Sequence, residues 1–364
     1  MIRNFICSSL LAGIASGAMA LGSSLGPLTV TPMVRGLDTP WAFAILPDGA
    51  ILVTERDGAL VLVNGDTRIE VANTPEVFAE GQGGLLDVTL ANDFATSRTL
   101  FLTFAKPQEE GSGTALARAE LSADGTRLVN CVVLFESAKG GDTGRHYGSR
   151  VVEAADGTLF VTIGDRGDRP SAQDRTNHNG TIVRINRDGS VPQDNPFLGV
   201  GDVLPEIYSF GHRNPQGAAL DASGTLWTAE HGAKGGDEVN EIRAGANYGW
   251  PVISYGVHYS GKKIGEGTQK DGMQQPAHYW DPSIAPSGLL VYSGAMFPEW
   301  QGDLFVGSLK FDMISRLDQT DTGWHEAERL DSGETERVRD IQQGDDGAIW
   351  FLSAGNGVLY RIAR

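Results

Sequence analysis

The segments Asp48-Gly49-Ala50-Ile51-Leu52-Val53, Asp156-Gly157-Thr158-Leu159-Phe160-Val161, Ser223-Gly224-Thr225-Leu226-Trp227-Thr228 and Asp346-Gly347-Ala348-Ile349-Trp350-Phe351 share one pattern. A tight turn is followed by a small residue and an apolar strand. Two looser copies, Ser97-Arg98-Thr99-Leu100-Phe101-Leu102 and Gly302-Asp303-Leu304-Phe305-Val306, complete a set of six. Self-similarity at roughly 45 to 80 residues is the mark of a repeat architecture, in which each unit buries its faces only against its neighbours. Six such units predict an all-β chain: a six-bladed β-propeller of four-stranded antiparallel blades.

The surroundings of the repeats agree. Glycine supplies 48 of the 364 residues, nearly twice its usual share, so tight turns are frequent. No stretch shows long helical periodicity, and no linker rich in Pro, Ser or charge divides the chain. Residues 21–364 are therefore expected to form a single propeller domain. The widest interval, between the copies at Ser223 and Gly302, holds about 20 residues more than a blade needs, and an insertion of that size in a propeller predicts a functional loop at one end of the ring.

Residues 1–20 read as a signal peptide. Arg3 is its basic region, Phe5 to Met19 is apolar or small, and Ala18-Met19-Ala20 is an A-x-A cleavage site. The apolar stretch is shorter than the ~20 residues of a spanning helix, so the expectation is a periplasmic or secreted protein without membrane insertion. The net charge of −17 becomes −17 − 1 = −18 once that segment, with one basic and no acidic side chain, is removed. A surface so acidic repels phosphate backbones, which argues against nucleic acid as a partner. Cys7 leaves with the signal; Cys131, in the apolar run Cys131-Val132-Val133-Leu134-Phe135, is expected to be a buried structural thiol. Arg166-Gly167-Asp168 spells an adhesion tripeptide, but between two glycine-rich turns it reads as a loop.

Four segments are too polar to be ordinary blade turns: Gly81-Gln82-Gly83-Gly84-Leu85-Leu86-Asp87, Gly144-Arg145-His146-Tyr147-Gly148-Ser149-Arg150, Gly211-His212-Arg213-Asn214-Pro215-Gln216-Gly217 and Glu230-His231-Gly232-Ala233-Lys234-Gly235-Gly236-Asp237-Glu238. With Asn247-Tyr248-Gly249-Trp250-Pro251, Pro282-Ser283-Ile284-Ala285-Pro286-Ser287, Ser308-Leu309-Lys310 and Arg337-Val338-Arg339-Asp340, they make the chain similar, from about Gly36 onward, to the soluble aldose sugar dehydrogenases that depend on pyrroloquinoline quinone (PQQ). These are relatives of soluble quinoprotein glucose dehydrogenase. The resemblance implies oxidation of the anomeric carbon of an aldose to an aldonolactone, with electrons passed to an external acceptor such as a quinone, a cytochrome or a dye.

The resemblance also assigns roles that chemistry makes sensible. His146 matches the family's base, and imidazole titrates nearest neutrality. Arg213 matches the cation that stabilises charge arriving on the quinone oxygen, with Asn214 as its hydrogen-bonding neighbour. Ser283, Lys310, Arg337 and Arg339 match cofactor-binding positions, and Arg337 and Arg339, two apart on an extended segment, are expected to project to one side. Gln82 matches a substrate contact. The resemblance places calcium on the carbonyls of Gly232 and Ala233, where the family usually has proline at the second position, and a second calcium at Glu238 and Tyr248. Two departures weaken glucose specificity: Arg145 stands where glucose dehydrogenase is acidic, and the sugar-stacking aromatic is displaced, with Trp280 and Asp281 as candidate occupants. The rival readings are a calcium-dependent lactone hydrolase, which needs a metal held by side chains in the central tunnel, and a non-catalytic extracellular binding propeller.

Overall fold

The computed structural model describes residues 19–364, so all but the end of the signal segment lies outside the described residues. Six antiparallel sheets follow one another along the chain. Blade 1 comprises Pro40–Ile45, Ile51–Glu55, Leu60–Asn64 and Thr67–Glu70, and blades 2 to 5 begin at Leu85, Val151, Pro215 and Pro286. Blade 6 takes Val338–Gln343, Ile349–Ser353 and Val358–Ala363 from the end of the chain and Leu28–Val34 from its beginning. Thr29 pairs with Ala363 and Val30 with Ile362, which closes the ring. The predicted six-bladed propeller is what the chain forms, with Met19–Leu21 added to blade 6 as a short fifth strand.

All six repeats mark the turn into the second strand of a blade. Asp48 Oδ1 accepts the Ala50 N–H at 3.1 Å, Asp156 Oδ1 that of Thr158 at 2.9 Å, and Asp346 Oδ1 that of Ala348 at 3.0 Å. Such Asx turns explain why aspartate recurs there. The next residue has left-handed backbone, at φ 85° for Gly49, 82° for Gly157 and 79° for Gly347. Blade 2 forces Arg98 into that region at φ 55°, which is why its copy of the motif looks degenerate.

The core is divided into wedges between blades. Trp41, Leu52 and Leu60 of blade 1 meet Leu85, Leu102 and Phe104 of blade 2, and comparable clusters fill each later seam. The seam between blades 6 and 1, with Phe43, Val53, Leu352 and Leu359, is packed like the rest, so closure is hydrophobic as well as hydrogen-bonded.

Cys131 corrects one expectation. It is exposed, as are Val132 and Val133, at 48 % and 44 %. The run lies on the outermost strand of blade 2, Leu128–Glu136, where register shifts after Val129 and after Val133 break the alternation that would have turned it inward.

On the ring axis, Arg150 donates to Asp87 Oδ1 at 2.7 Å, lies 3.1 Å from Asp340 Oδ1, and covers the Trp41 ring at 4.6 Å. Below this triad the innermost strands of all six blades enclose a tunnel cavity of about 420 Å³.

Candidate active site

In an antiparallel blade, the start of the first strand and the end of the second lie at the same end of the ring. Every predicted site residue except Glu238 and Tyr248 sits at or beside one of those two positions. Gln82, His146, Arg213, Asn214, Ser283, Arg337 and Arg339 lie at entries to first strands. Gly232, Ala233 and Lys310 follow second strands. Topology alone therefore gathers loops from five blades onto one face.

They surround a cavity of about 790 Å³ whose walls include Gln82, Asn214, Gly232, Ala233, Ser283, Lys310, Arg337 and Arg339. Arg337 and Arg339 both reach it, but not through simple strand alternation, because Arg337 has left-handed backbone at φ 49° just before its strand begins. Arg337 Nη1 donates to the Leu309 carbonyl at 2.9 Å, tying it to the loop that bears Lys310. Arg56, which sequence reasoning missed, adds another cation to the wall. Burial disfavours the Arg339 charge, and repulsion from Arg337, Arg150 and Arg56 disfavours it further. Asp281 is the sole carboxylate on this wall, so the cavity carries surplus positive charge on an acidic protein.

His146 and Arg213 do not themselves wall this cavity but join to residues that do. The His146 backbone N–H donates to Gln82 Oε1 at 2.8 Å, and the Arg213 Nη1 to the His231 carbonyl at 3.1 Å. The His146 ring is bonded through Nδ1 to Asp165 Oδ1 at 2.6 Å and keeps 12 % of its side chain exposed. Asp165 is fully buried and also accepts the Gly167 N–H and, through Oδ2, the Trp250 indole N–H, each at 2.8 Å. Its own N–H donates to the Arg213 carbonyl at 2.8 Å, so His146, Asp165 and Arg213 form one connected unit. Sequence reasoning also missed Asp165; the Gly164-Asp165-Arg166 turn carries no marker beyond a carboxylate 19 residues from His146.

Two opposing effects set the His146 proton affinity. Burial lowers it and the Arg213 charge lowers it further, while the hydrogen bond to Asp165 raises it; the net shift is downward. For Asp165, burial alone would raise the pKa, but the His146 bond and charge outweigh it and hold the carboxylate ionised. An ionised Asp165 fixes the proton on Nδ1 and leaves Nε2 as the basic nitrogen. His146 holds this pose with left-handed backbone, φ 55°, a conformation that costs roughly 1–3 kcal/mol and persists where surrounding contacts enforce it.

The loop from His231 to Glu238 is dense in backbone oxygens. A Cβ on Gly232 would lie 2.3 Å from both the Gly235 and the Gly236 carbonyl oxygen, so only glycine allows this approach. Asp237 organises the loop, accepting the Gly232 N–H at 2.8 Å, the Ser283 hydroxyl at 2.7 Å and the Ala285 N–H at 2.9 Å. His231 sits between Arg213 and Arg339; burial and those two charges hold its ring neutral, and its Nε2 is 3.2 Å from Gln216 Oε1. Gln216 Oε1 also accepts from Arg339 at 3.0 Å.

Glu238 and Tyr248 line a separate small cavity of about 20 Å³ with Glu230 and Arg213. Desolvation, then the Glu230 and Asp237 charges, push the Glu238 carboxyl up to about 8. Asn240 Nδ2 bridges the two glutamates at 3.0 and 3.2 Å.

Of the two residues proposed for the sugar-stacking position, Trp280 is excluded. It is 4 % exposed, packed between blades 4 and 5, with its indole N–H on Glu326 at 3.2 Å. Asp281 reaches the cavity but offers no aromatic face. The adhesion tripeptide is likewise excluded, because Arg166 is 1 % exposed and stacked 3.5 Å over the Tyr147 ring.

The chain can now be placed among known proteins. It is 38 % identical to aldose sugar dehydrogenase YliI of Escherichia coli (strain K12), over 94 % of this chain and 95 % of that one. It is 30 % identical to quinoprotein glucose dehydrogenase B of Acinetobacter calcoaceticus, over 76 % of this chain and 63 % of that one. The PQQ-bound form of aldose sugar dehydrogenase from Streptomyces coelicolor superposes with a TM-score of 0.76 at 26 % identity, over 92 % of this chain and 98 % of that one. The family model for glucose / sorbosone dehydrogenase matches residues 37–361, from just before blade 1 almost to the last residue, and the chain therefore belongs to that family and is an oxidoreductase.

Proposed function

We propose that the protein oxidises aldose sugars at the anomeric carbon to aldonolactones, using PQQ and calcium, and passes the electrons to an external acceptor outside the cytoplasm. The observation that carries this reading is the buried Asp165–His146 pair, at 2.6 Å and joined to Arg213, beside a cavity with more cations than carboxylates. In it His146 Nε2 takes the proton of the anomeric hydroxyl, and Asp165 stabilises the imidazolium that results. Gln82, which holds the His146 backbone, also stands on the cavity wall where it can orient the sugar.

The cation surplus suits PQQ, a flat tricarboxylate. Lys310, Arg337 and Arg339 would bind its carboxylates, with Ser283 and Asn214 as neutral partners. Arg213 contributes a fixed charge where negative charge develops, so its stabilisation is larger in the transition state than before it. The crowded backbone oxygens of the Gly232-Ala233 loop suit a hard, oxygen-seeking cation. Bound PQQ would supply the two-electron acceptor for the hydride, and calcium would supply Lewis acidity. The opposed Glu230 and Glu238 carboxylates, with Tyr248 alongside, favour a second calcium there. The lactone-hydrolase reading fares worse, since the tunnel aspartates Asp87 and Asp340 are already occupied by Arg150.

An aldose panel assayed with a dye acceptor, with and without PQQ and calcium, tests the assignment. Turnover is expected only with PQQ and calcium, and His146→Ala should abolish it. No response to any sugar would refute the reading. Signal cleavage after residue 20 is checked by the N-terminal sequence of the exported protein.

A further inference from the structure

The inserted segment between Ile242 and His278 is the part of blade 4 that the blade itself does not need. Its Val257 and Tyr259 line the main cavity, and the chain around them is held by backbone contacts. Lys234 and Val257 exchange backbone hydrogen bonds at 3.0 and 3.2 Å, and His258 N–H closes a turn on the Lys262 carbonyl at 2.8 Å. A Cβ on Gly256 would lie 2.1 Å from the Gly235 oxygen, so the strap lies directly against the Gly232-to-Gly236 loop. Arg169 of blade 3 reaches over and contacts His258 Nδ1 at 2.7 Å.

This anchored strap presents Tyr259. Tyr259 lines the cavity, yet it is 72 % exposed, the highest value for any large hydrophobic side chain among the described residues; Val132 follows at 48 %. An aromatic ring is costly to leave in water, and one that stands at the entrance of a polar cavity on rigid backbone is placed to be covered by a ligand. The other aromatic on the cavity wall, Trp41, is 2 % exposed and already covered by Arg150 and Arg339, at 4.6 and 5.7 Å. Trp280 is buried in a blade seam.

We infer that Tyr259 is the sugar platform of this enzyme: its ring covers the apolar face of the pyranose, setting substrate affinity and breadth from the inserted strap rather than from the blade 5 entry. The C–H bonds on one face of a pyranose carry partial positive charge and complement the negative face of an aromatic ring, while the phenol stays hydrated at the rim. A single platform on an open mouth selects for a sugar ring without reading each hydroxyl, which predicts acceptance of several aldoses.

The inference rests on the proposed aldose oxidation, and the test separates the two. Holoenzyme reconstituted with PQQ and calcium is assayed on D-glucose, D-xylose and maltose with a dye acceptor, as wild type, Tyr259→Ala, Tyr259→Phe and Tyr259→Trp. Tyr259→Ala is expected to raise KM about tenfold, equivalent to the ~1.4 kcal/mol near the upper end for an aromatic contact, with kcat within about twofold. Tyr259→Phe and Tyr259→Trp should restore most of the affinity. PQQ affinity, measured by quenching of intrinsic fluorescence in the apoenzyme, should not move. An unchanged KM in an active Tyr259→Ala enzyme would overturn the inference, and so would an equal loss of PQQ affinity, which would assign the ring to the cofactor. A wild type inactive on every aldose would instead defeat the functional reading beneath it.

Discussion

Asp165→Asn is the most informative single change, because it removes one charge and leaves the shape of the site. Three donors converge on this carboxylate: the His146 ring and the Gly167 N–H on Oδ1, and the Trp250 indole on Oδ2. An asparagine has one oxygen to offer them. If that oxygen faces His146, the amide NH₂ meets the indole N–H donor to donor; if it faces Trp250, the NH₂ meets His146 Nδ1 and moves the ring proton to Nε2, where the base is needed. Either arrangement costs catalysis, and in serine hydrolases the same exchange beside a histidine base lowers kcat about 10⁴-fold. A loss of 10² to 10⁴ is expected here, the range over which general bases contribute. The pH profile carries a second signature. The Asp165 bond is what raises the His146 pKa against burial and Arg213, so its loss should lower that pKa further and move the acid limb of kcat/KM to lower pH. Steady-state rates from pH 5 to 9 with saturating PQQ and calcium give both readouts. A variant within tenfold of wild type whose acid limb has not moved would show that Asp165 neither orients nor tunes His146.

Arg339→Gln should weaken PQQ binding on the order of 10²-fold, as truncation of one partner in a buried charged pair costs ~2–5 kcal/mol, yet raise the apoenzyme Tm, because it relieves repulsion from Arg337, Arg150 and Arg56. Calcium should raise the Tm of the wild type, at 100-fold excess over Kd by the equivalent of ~2.7 kcal/mol per site; Glu238→Gln should lose a calorimetrically visible part of that gain. Arg150→Ala leaves Asp87 and Asp340 opposed and buried and should cost ~3–5 kcal/mol in urea unfolding. Asp87 already titrates at about 6 when folded, against 3.8 ordinarily, so the folded variant takes up a proton before the unfolded chain does. The penalty should therefore be smaller at pH 5 than at pH 8; equal penalties at both would refute the role given to the triad.

What could be read from the sequence follows physical periodicity. Asx turns and alternating strands are local, so four of the six repeats stand out and two are looser, one of them where Arg98 replaces glycine in a left-handed turn. His146, Arg213 and the cofactor cations lie in segments whose polarity is out of place for blade turns, and that contrast is also local. Asp165 is invisible because its importance comes entirely from contacts made across loops, to Trp250 85 residues away and to His146. Cys131 misleads for the opposite reason: a run that is apolar in sequence sits on an outer edge where a bulge cancels the alternation. Arg337 and Arg339 converge as expected, although a left-handed residue and not strand pleat brings them together.

The acidic chain keeps a basic pocket by committing its nearby carboxylates elsewhere: Asp340 and Asp87 to Arg150, Asp237 to backbone N–H groups and Ser283, Asp165 to His146. Each commitment satisfies a buried acid locally and leaves Arg56, Lys310, Arg337 and Arg339 without a carboxylate partner in the cavity other than Asp281. The repulsion stored among them is relieved by an anionic ligand, so affinity for such a ligand and apoenzyme stability should trade against each other in every variant that removes one of these cations. A variant that gains stability without losing cofactor affinity would refute this trade, whereas one that loses stability and keeps affinity would show that its cation serves the fold and not the site.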